Sequence, residues 1–130
     1  MSEQAVLDTF DSLYRLACVE RDADGVAALF APDGDIVMWG SDEPERASGP
    51  DELRALAESI AASTASLRFE WVERRVRVEG DVAWVNARGS FTVDRGDGTP
   101  QTSPYRVTGV FVRRDGHWRW HTHNGSEPNE

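Results

Sequence analysis

Three histidines and two tryptophans crowd into HWRWHTHNGSEP, His117 to Pro128. Imidazoles at that density suggest metal binding or acid–base chemistry. If the stretch is a β-strand, its side chains alternate between two faces. His117, Arg119, His121 and His123 then share one face, and Trp118, Trp120, Thr122 and Asn124 share the other. A histidine pair at i, i+2 supplies two zinc ligands, whereas structural sites need four and catalytic sites usually three. No Cys pair or HExxH motif completes the set, so no metal or other cofactor is expected. The histidines read as partly exposed or interface residues, with acid–base work as the alternative.

The tryptophan face is the better pocket candidate. Trp118 and Trp120 can wall a cavity or simply fill the core. Thr122 and Asn124 need bonds to each other, to water or to a ligand if they are buried. Arg106 and Thr108 share a face one strand earlier, and Trp84, Asn86 and Arg88 share one on the strand before that. Converged, these faces would set hydrogen-bond donors among aromatics. An interior arginine needs an anionic partner, which would make a carboxylate, phenolate or enolate a fitting ligand; a surface arginine is the plainer alternative. Asp22, Asp24, Asp33 and Asp35 lack the spacing of a calcium loop and read as a helix cap and a turn. In the acidic run SDEPE, Asp42 and Glu43 are the nearest carboxylates should the pocket need a base.

The elements that must position these residues follow from periodicity. Val6, Phe10, Leu13, Tyr14 and Ala17 form a helical stripe. Asp22 is placed to cap a second helix that carries Val26, Leu29 and Phe30 and stops at Pro32 and Gly34. DIVMWG (35–40) reads as a short strand, and a third helix is expected over about 50–62. The pattern then switches to period two, predicting strands around 66–79, 82–93, 103–113 and 118–124 separated by glycine-bearing turns. Helices followed by sequential strands give an α+β domain spanning residues 1–130, with a solvated tail from about 125. Val72, Val76, Ala83, Val85, Ala87, Phe91 and Val93 are expected on a sheet face needing outside cover, hence a homodimer.

Composition narrows the function. A formal charge of −9 disfavours nucleic-acid binding. No stretch approaches the ~18 apolar residues of a membrane span. No basic stretch precedes an apolar run at the N-terminus, and the lone Cys18 reads as a buried hydrophobe, so a cytoplasmic location is expected.

Several stretches carry a family resemblance: RDADGVAALFAPDG (21–34), WGSDEPERASG (39–49), DVAWVNARG (81–89), YRVTGVFVRRDGHW (105–118) and SEP (126–128). In this order they resemble the SnoaL-like domains of the nuclear-transport-factor-2-like (NTF2-like) superfamily, with ketosteroid isomerase more distant. That resemblance implies a cone-like fold, N-terminal helices packed on a strongly curved, mainly antiparallel sheet, and a pocket between them. Aligned without gaps, the isomerase's oxyanion-donating tyrosine falls on Tyr14 and its catalytic base on Met38, whose thioether cannot abstract a carbon-bound proton. Its second acid has no carboxylate counterpart in 105–114, so ketosteroid isomerisation is not expected. Related domains end in W-x-hydrophobic-x-H-x-H-x-S, which places Thr122 and Asn124 at the histidine positions. Either a bulge restores the register or the inward histidines are replaced; the unchanged Trp118–Ser126 spacing favours replacement.

The function expected is binding of a small hydrophobic or carboxylate-bearing molecule. The pocket candidates are Tyr14, Met38, Trp84, Asn86, Arg106, Thr108, Trp118, Trp120, Thr122 and Asn124. The catalytic residues are unassigned. An isomerase, cyclase or lyase acting on a small hydrophobic carbonyl compound, and a homo-oligomeric assembly domain, are the alternatives.

Overall fold

A computed structural model describes residues 2–128, apart from the side chain of Glu43. Helix α1 (Ser2–Tyr14) passes into a wider π-helical turn, Arg15–Val19, and is followed by α2 (Ala23–Leu29). Strand β1 (Val37–Trp39), a single 3₁₀ turn (Glu43–Glu45) and β2 (Arg46–Ser48) lead into α3 (Pro50–Ala62). The long strands β3 (Ser66–Glu79), β4 (Val82–Asp94) and β5 (Gln101–Arg114) precede β6 (His117–Ser126). The expected tail therefore starts later than 125: β6 runs through Ser126, and Asn129 and Glu130 lie outside the described residues. Asp22 caps α2 as its position predicts, its carboxylate accepting from the Gly25 N–H at 2.9 Å.

The strongly curved, cone-forming sheet is not what forms. Six strands lie in one open sheet, in the order β2-β1-β6-β5-β4-β3, with β2 and β3 as separate edges. Pairing is antiparallel except between β1 and β6, which run parallel, so the sheet is mixed. Strong curling needs repeated bulges or glycine kinks. Here the long pairings break register at only two steps, Trp71/Glu73 and Val110/Phe111.

The second break sets the inner face. Val110 pairs with Thr122 and Phe111 with Trp120, leaving His121 as the extra residue of a bulge. One inserted residue reverses which side chains point inward. Trp118 and Trp120 are buried before it, and His123 and Gly125 after it. Replacement of the inward histidine by Thr122 and Asn124 is thus overturned. The bulge restores register, turning Thr122 partly and Asn124 fully toward solvent.

Trp120 anchors the core at 0% exposure, with ring contacts to Phe10, Phe30 and Phe111. Its indole N–H donates to the Thr9 carbonyl at 3.1 Å, satisfying the one polar atom it buries. Gly109 leaves room for it, because a Cβ there would lie 2.6 Å from the indole ring. Ala83, Val85 and Ala87 are buried with this core, and Val76 and Phe91 pack against it. The aliphatic outer face that motivated a homodimer is therefore mostly the inner face. The inner and outer sets were exchanged on β4 because alternation alone fixes two faces without saying which one the helices cover.

Arg21 ties the helices together. Its backbone sits at φ 55°, a conformation unusual outside glycine. Its guanidinium donates to the carbonyls of Cys18 (3.2 Å), Ile60 (3.1 Å), Ser63 (2.7 Å) and Ala65 (2.5 Å). These include carbonyls at the C-terminal end of α3, where a cation is favoured. Arg21→Ala should lower the unfolding free energy by about 2–3 kcal/mol, read from urea denaturation. A loss below about 0.5 kcal/mol would mean these bonds merely replace water.

Candidate functional site

Between the helices and the inner sheet face lies a cavity of about 80 Å³. The end of α1 and the π-helical turn supply Leu13, Tyr14, Ala17 and Cys18; α3 supplies Leu56 and Ile60. From the sheet come Met38, Leu67, Phe69, Phe91, Tyr105 and His123, and from the β1–β2 connection Gly40, Ser41 and Glu45. The π-helical turn swells α1 where it faces the cavity, an irregularity common at functional positions.

His123 is 3% exposed and bonded at both ring nitrogens. Nδ1 lies 3.2 Å from the Trp39 carbonyl and Nε2 3.2 Å from the Tyr14 hydroxyl. A carbonyl only accepts, so Nδ1 carries the proton and a neutral ring offers its Nε2 lone pair to the Tyr14 O–H. Burial supports the neutral form, depressing the His123 pKa to about 4 against the opposing pull of the Trp39 carbonyl. Burial also raises the Tyr14 phenol well above its ordinary value, with smaller contributions from Tyr105, Cys18 and Asp11. Both side chains are uncharged near neutral pH: a donor–acceptor pair set in an apolar wall.

A second polar group lies at the β1–β2 connection. The Asp42 N–H donates to Glu45 Oε1 at 3.1 Å, and the Glu45 N–H donates back to the Asp42 carbonyl at 2.9 Å. Gly40 is needed beside it, since a Cβ there would sit 2.9 Å from Glu45. Partial burial raises the Glu45 pKa despite the Asp42 N–H, with Asp42 and Glu127 adding to the rise. The Tyr105 hydroxyl faces this group and is pushed up to about 12, chiefly by burial and then by Glu45. Ser41 donates to Glu127 at 2.6 Å. Glycine is required at 125 as well, where a Cβ would stand 2.1 Å from the Tyr105 hydroxyl.

Of the residues picked from sequence, Tyr14 and Met38 line this cavity. Trp118 and Trp120 are buried in the core and are not among its lining residues. Trp84, Asn86, Arg106 and Thr108 point from the opposite sheet face, exposed to solvent, where Thr108 donates to Asn86 at 3.1 Å. Thr122 and Asn124 are displaced by the bulge. Asp42 is exposed and is not among the lining residues, and the Glu43 side chain lies outside the described residues. The lining residues His123, Tyr105, Ser41 and Glu45 are not among the pocket candidates that the sequence offers. Tyr105 and Glu45 did stand in the quoted YRVTG and SDEPE stretches, and alternation within YRVTG separates Tyr105 from Arg106.

Asp33, Asp35 and His121 bring potential metal-ligating atoms within 4.8 Å of one another. Asp33 is already ion-paired with Arg114, which holds its pKa below the ordinary value, and His121 Nε2 bonds Asp35 at 3.1 Å. A guanidinium seated on one of the three ligands opposes a cation there.

The SnoaL-like domain profile matches residues 6–130. The chain belongs to the SnoaL-like family. No curated protein matches it. Among solved structures it is similar to a Streptomyces avermitilis protein named a putative dehydratase of the NTF2-like family, at 21% identity and TM-score 0.86, covering 99% of this SnoaL-like chain and 97% of that one. A Xanthomonas campestris protein named a putative calcium/calmodulin-dependent protein kinase II association domain aligns at 25% identity and TM-score 0.77, over 96% and 86% of the two chains. A ketosteroid isomerase-like protein from Erwinia carotovora atroseptica aligns at 21% and 0.73, over 98% and 97%. Proteins named for catalysis and for assembly thus share the fold, so function has to be argued from the site. No helix among the described residues is long and apolar enough to cross a membrane.

The neutral His123 has a pH signature. Its folded pKa of about 4 lies below the ~6.5 of an unfolded histidine, so the unfolded chain binds the extra proton between those values. The stabilisation is complete above pH ~6.5 and is lost as pH falls toward 4, about 3 kcal/mol in all. Denaturation from pH 7 to 4 should show that loss in the wild type beyond any shared acid effect and not in His123→Gln. Parallel profiles would place a charged or exposed imidazole at 123.

Proposed function

We propose that this SnoaL-like domain binds a small, largely apolar organic molecule in the cavity between α1, α3 and the inner sheet face. The observation that carries it is the meeting of two polar groups, Tyr14–His123 and Glu45–Tyr105, in a space otherwise walled by aliphatic and aromatic side chains. Such pockets, mostly apolar with a few placed polar groups, are the usual form of ligand sites. Space for water inside a packed core lowers stability unless filled, which favours an occupant. At about 80 Å³ the cavity falls well short of the ~300–1,000 Å³ of drug-sized sites, so a steroid-sized ligand does not fit without rearrangement.

A second reading, proton transfer on a small carbonyl compound, is favoured by one observation. Glu45 supplies to the cavity the carboxylate that Met38 cannot, and the Tyr105 hydroxyl is at hand to donate to an oxyanion. An assembly role finds less support, because it calls for a filled cavity and a broad apolar outer sheet. The outer face instead mixes Val82 and Trp84 with Asn86, Arg88, Arg106 and Thr108.

The test is to titrate small neutral, cationic and anionic compounds while following the methyl NMR signals of Leu13, Met38, Leu56 and Ile60. At least one probe should shift these signals saturably. Ala17→Leu, which fills the space from the π-helical turn, should weaken that binding roughly tenfold or more. Unchanged binding in the filled variant would move the ligand elsewhere. If Ala17→Leu overpacks and unfolds, Ala17→Val reads the same effect with less strain.

A further inference from the structure

The cavity's charge and ring content narrow the ligand further. None of the residues lining it is a lysine or arginine, and its one acidic side chain is Glu45. His123 contributes no positive charge, because its Nδ1 proton is committed to the Trp39 carbonyl and its Nε2 accepts from Tyr14. Arg21, which reaches the carbonyls of the lining residues Cys18 and Ile60, spends four of its five N–H donors on carbonyl oxygens and is not itself a lining residue.

On the other side stand three aromatic rings in mutual contact. Phe69 lies 4.6 Å from Phe91 and 5.3 Å from Tyr105, and Phe91 lies 5.6 Å from Tyr105. Aromatic rings attract a cation within about 6 Å of their centroids, more strongly once it is desolvated. A carboxylate beside such rings adds a charge-assisted hydrogen bond for an N–H donor. Glu45 Oε1 takes the Asp42 N–H, and a carboxylate has further acceptor sites to offer. Glu127, which accepts from the lining residue Ser41, adds a second negative charge nearby, and the net charge of −9 draws cations from solution.

Resting on the reading that this cavity is the binding site, we infer that its ligand is a small alkylammonium ion. The cation sits between the Glu45 carboxylate and the Phe69–Phe91–Tyr105 rings, and the alkyl part points toward Leu56 and Ile60. An arginine-held carboxylate ligand, the expectation built on Arg106, is thereby replaced by its opposite in charge. Isobutyrate would meet the Glu45 carboxylate, and no lysine or arginine stands among the described lining residues to offset it.

Isobutylammonium, isobutanol and isobutyrate are the probes, each titrated at pH 7 against wild type, Glu45→Gln and Asp97→Asn while the cavity methyl signals are followed. Glutamine can still accept from the Asp42 N–H, so the 3₁₀ turn is kept. Asp97→Asn makes the same charge change in the exposed β4–β5 turn. Wild type should bind the ammonium about tenfold or more tightly than the alcohol and should bind the acid weakest. Glu45→Gln should lose most of that preference with alcohol affinity nearly constant, and Asp97→Asn should keep it. Equal affinity for ammonium and alcohol in the wild type, or an equal loss in both variants, would overturn the ammonium assignment while the cavity stands as a binding site. No shift of the cavity methyls with any probe would overturn both.

Discussion

One extra residue in β6 decides what this protein holds inside. With regular alternation from Trp118, the strand would aim Thr122 and Asn124 at the helices and leave His123 in solvent. The bulge at His121 opposite Val110 and Phe111 lets two tryptophans and a histidine share one face although they are not in phase. Packing supplies the reason. Trp118 and Trp120 are needed inward to fill the core, and the parallel pairing of β1 with β6 sets His123 beside Met38. An inward asparagine at 124 would bring polar atoms into that wall with no evident partner. The local break in the ladder costs less than such a burial.

From that bulge the chemistry of the cavity follows. His123 reaches the Trp39 carbonyl with one nitrogen and Tyr14 with the other, which fixes its tautomer and keeps it neutral. Tyr14 arrives from α1, just before the helix widens into its π turn, and Arg21 fastens the chain beyond that turn to the end of α3. The two helical walls are therefore joined by one guanidinium. Opposite them the β1–β2 connection brings Glu45 in, held by reciprocal bonds with Asp42. His123 and Glu45 are each held by a residue outside the lining, Trp39 and Asp42, and the interior surface is mostly carbon.

Much of the architecture was legible in the sequence because it rests on periodicity and caps. The stripe from Val6 to Ala17, the Asp22 cap and the four long strands all carried signals in neighbouring residues. Neither sheet curvature nor the inner face of β4 is written that way. Ala83, Val85 and Ala87 alternate with Trp84, Asn86 and Arg88, and which set lies beneath the helices depends on tertiary packing. The candidate site was only partly legible for the same reason. Resemblance points to Tyr14 and Met38, whereas alternation alone does not say that Tyr105 faces inward and Arg106 outward. His123 is not told from Thr122 and Asn124 by spacing, because a bulge leaves the Trp118–Ser126 interval unchanged. Which of the carboxylates in 42–45 faces inward is selected by the 3₁₀ turn, not by proximity in sequence.

The bulge buries His123 as a neutral imidazole with its proton on Nδ1. Long-range ¹H–¹⁵N correlation of the histidine rings, followed from about pH 8 down to about 4, reads the tautomer and its titration directly. The expected result is an Nδ1-protonated ring at position 123, with a bare Nε2 that stays unprotonated until pH nears 4. A His123 ring that titrates near its ordinary ~6.5, or carries its proton on Nε2, would contradict it.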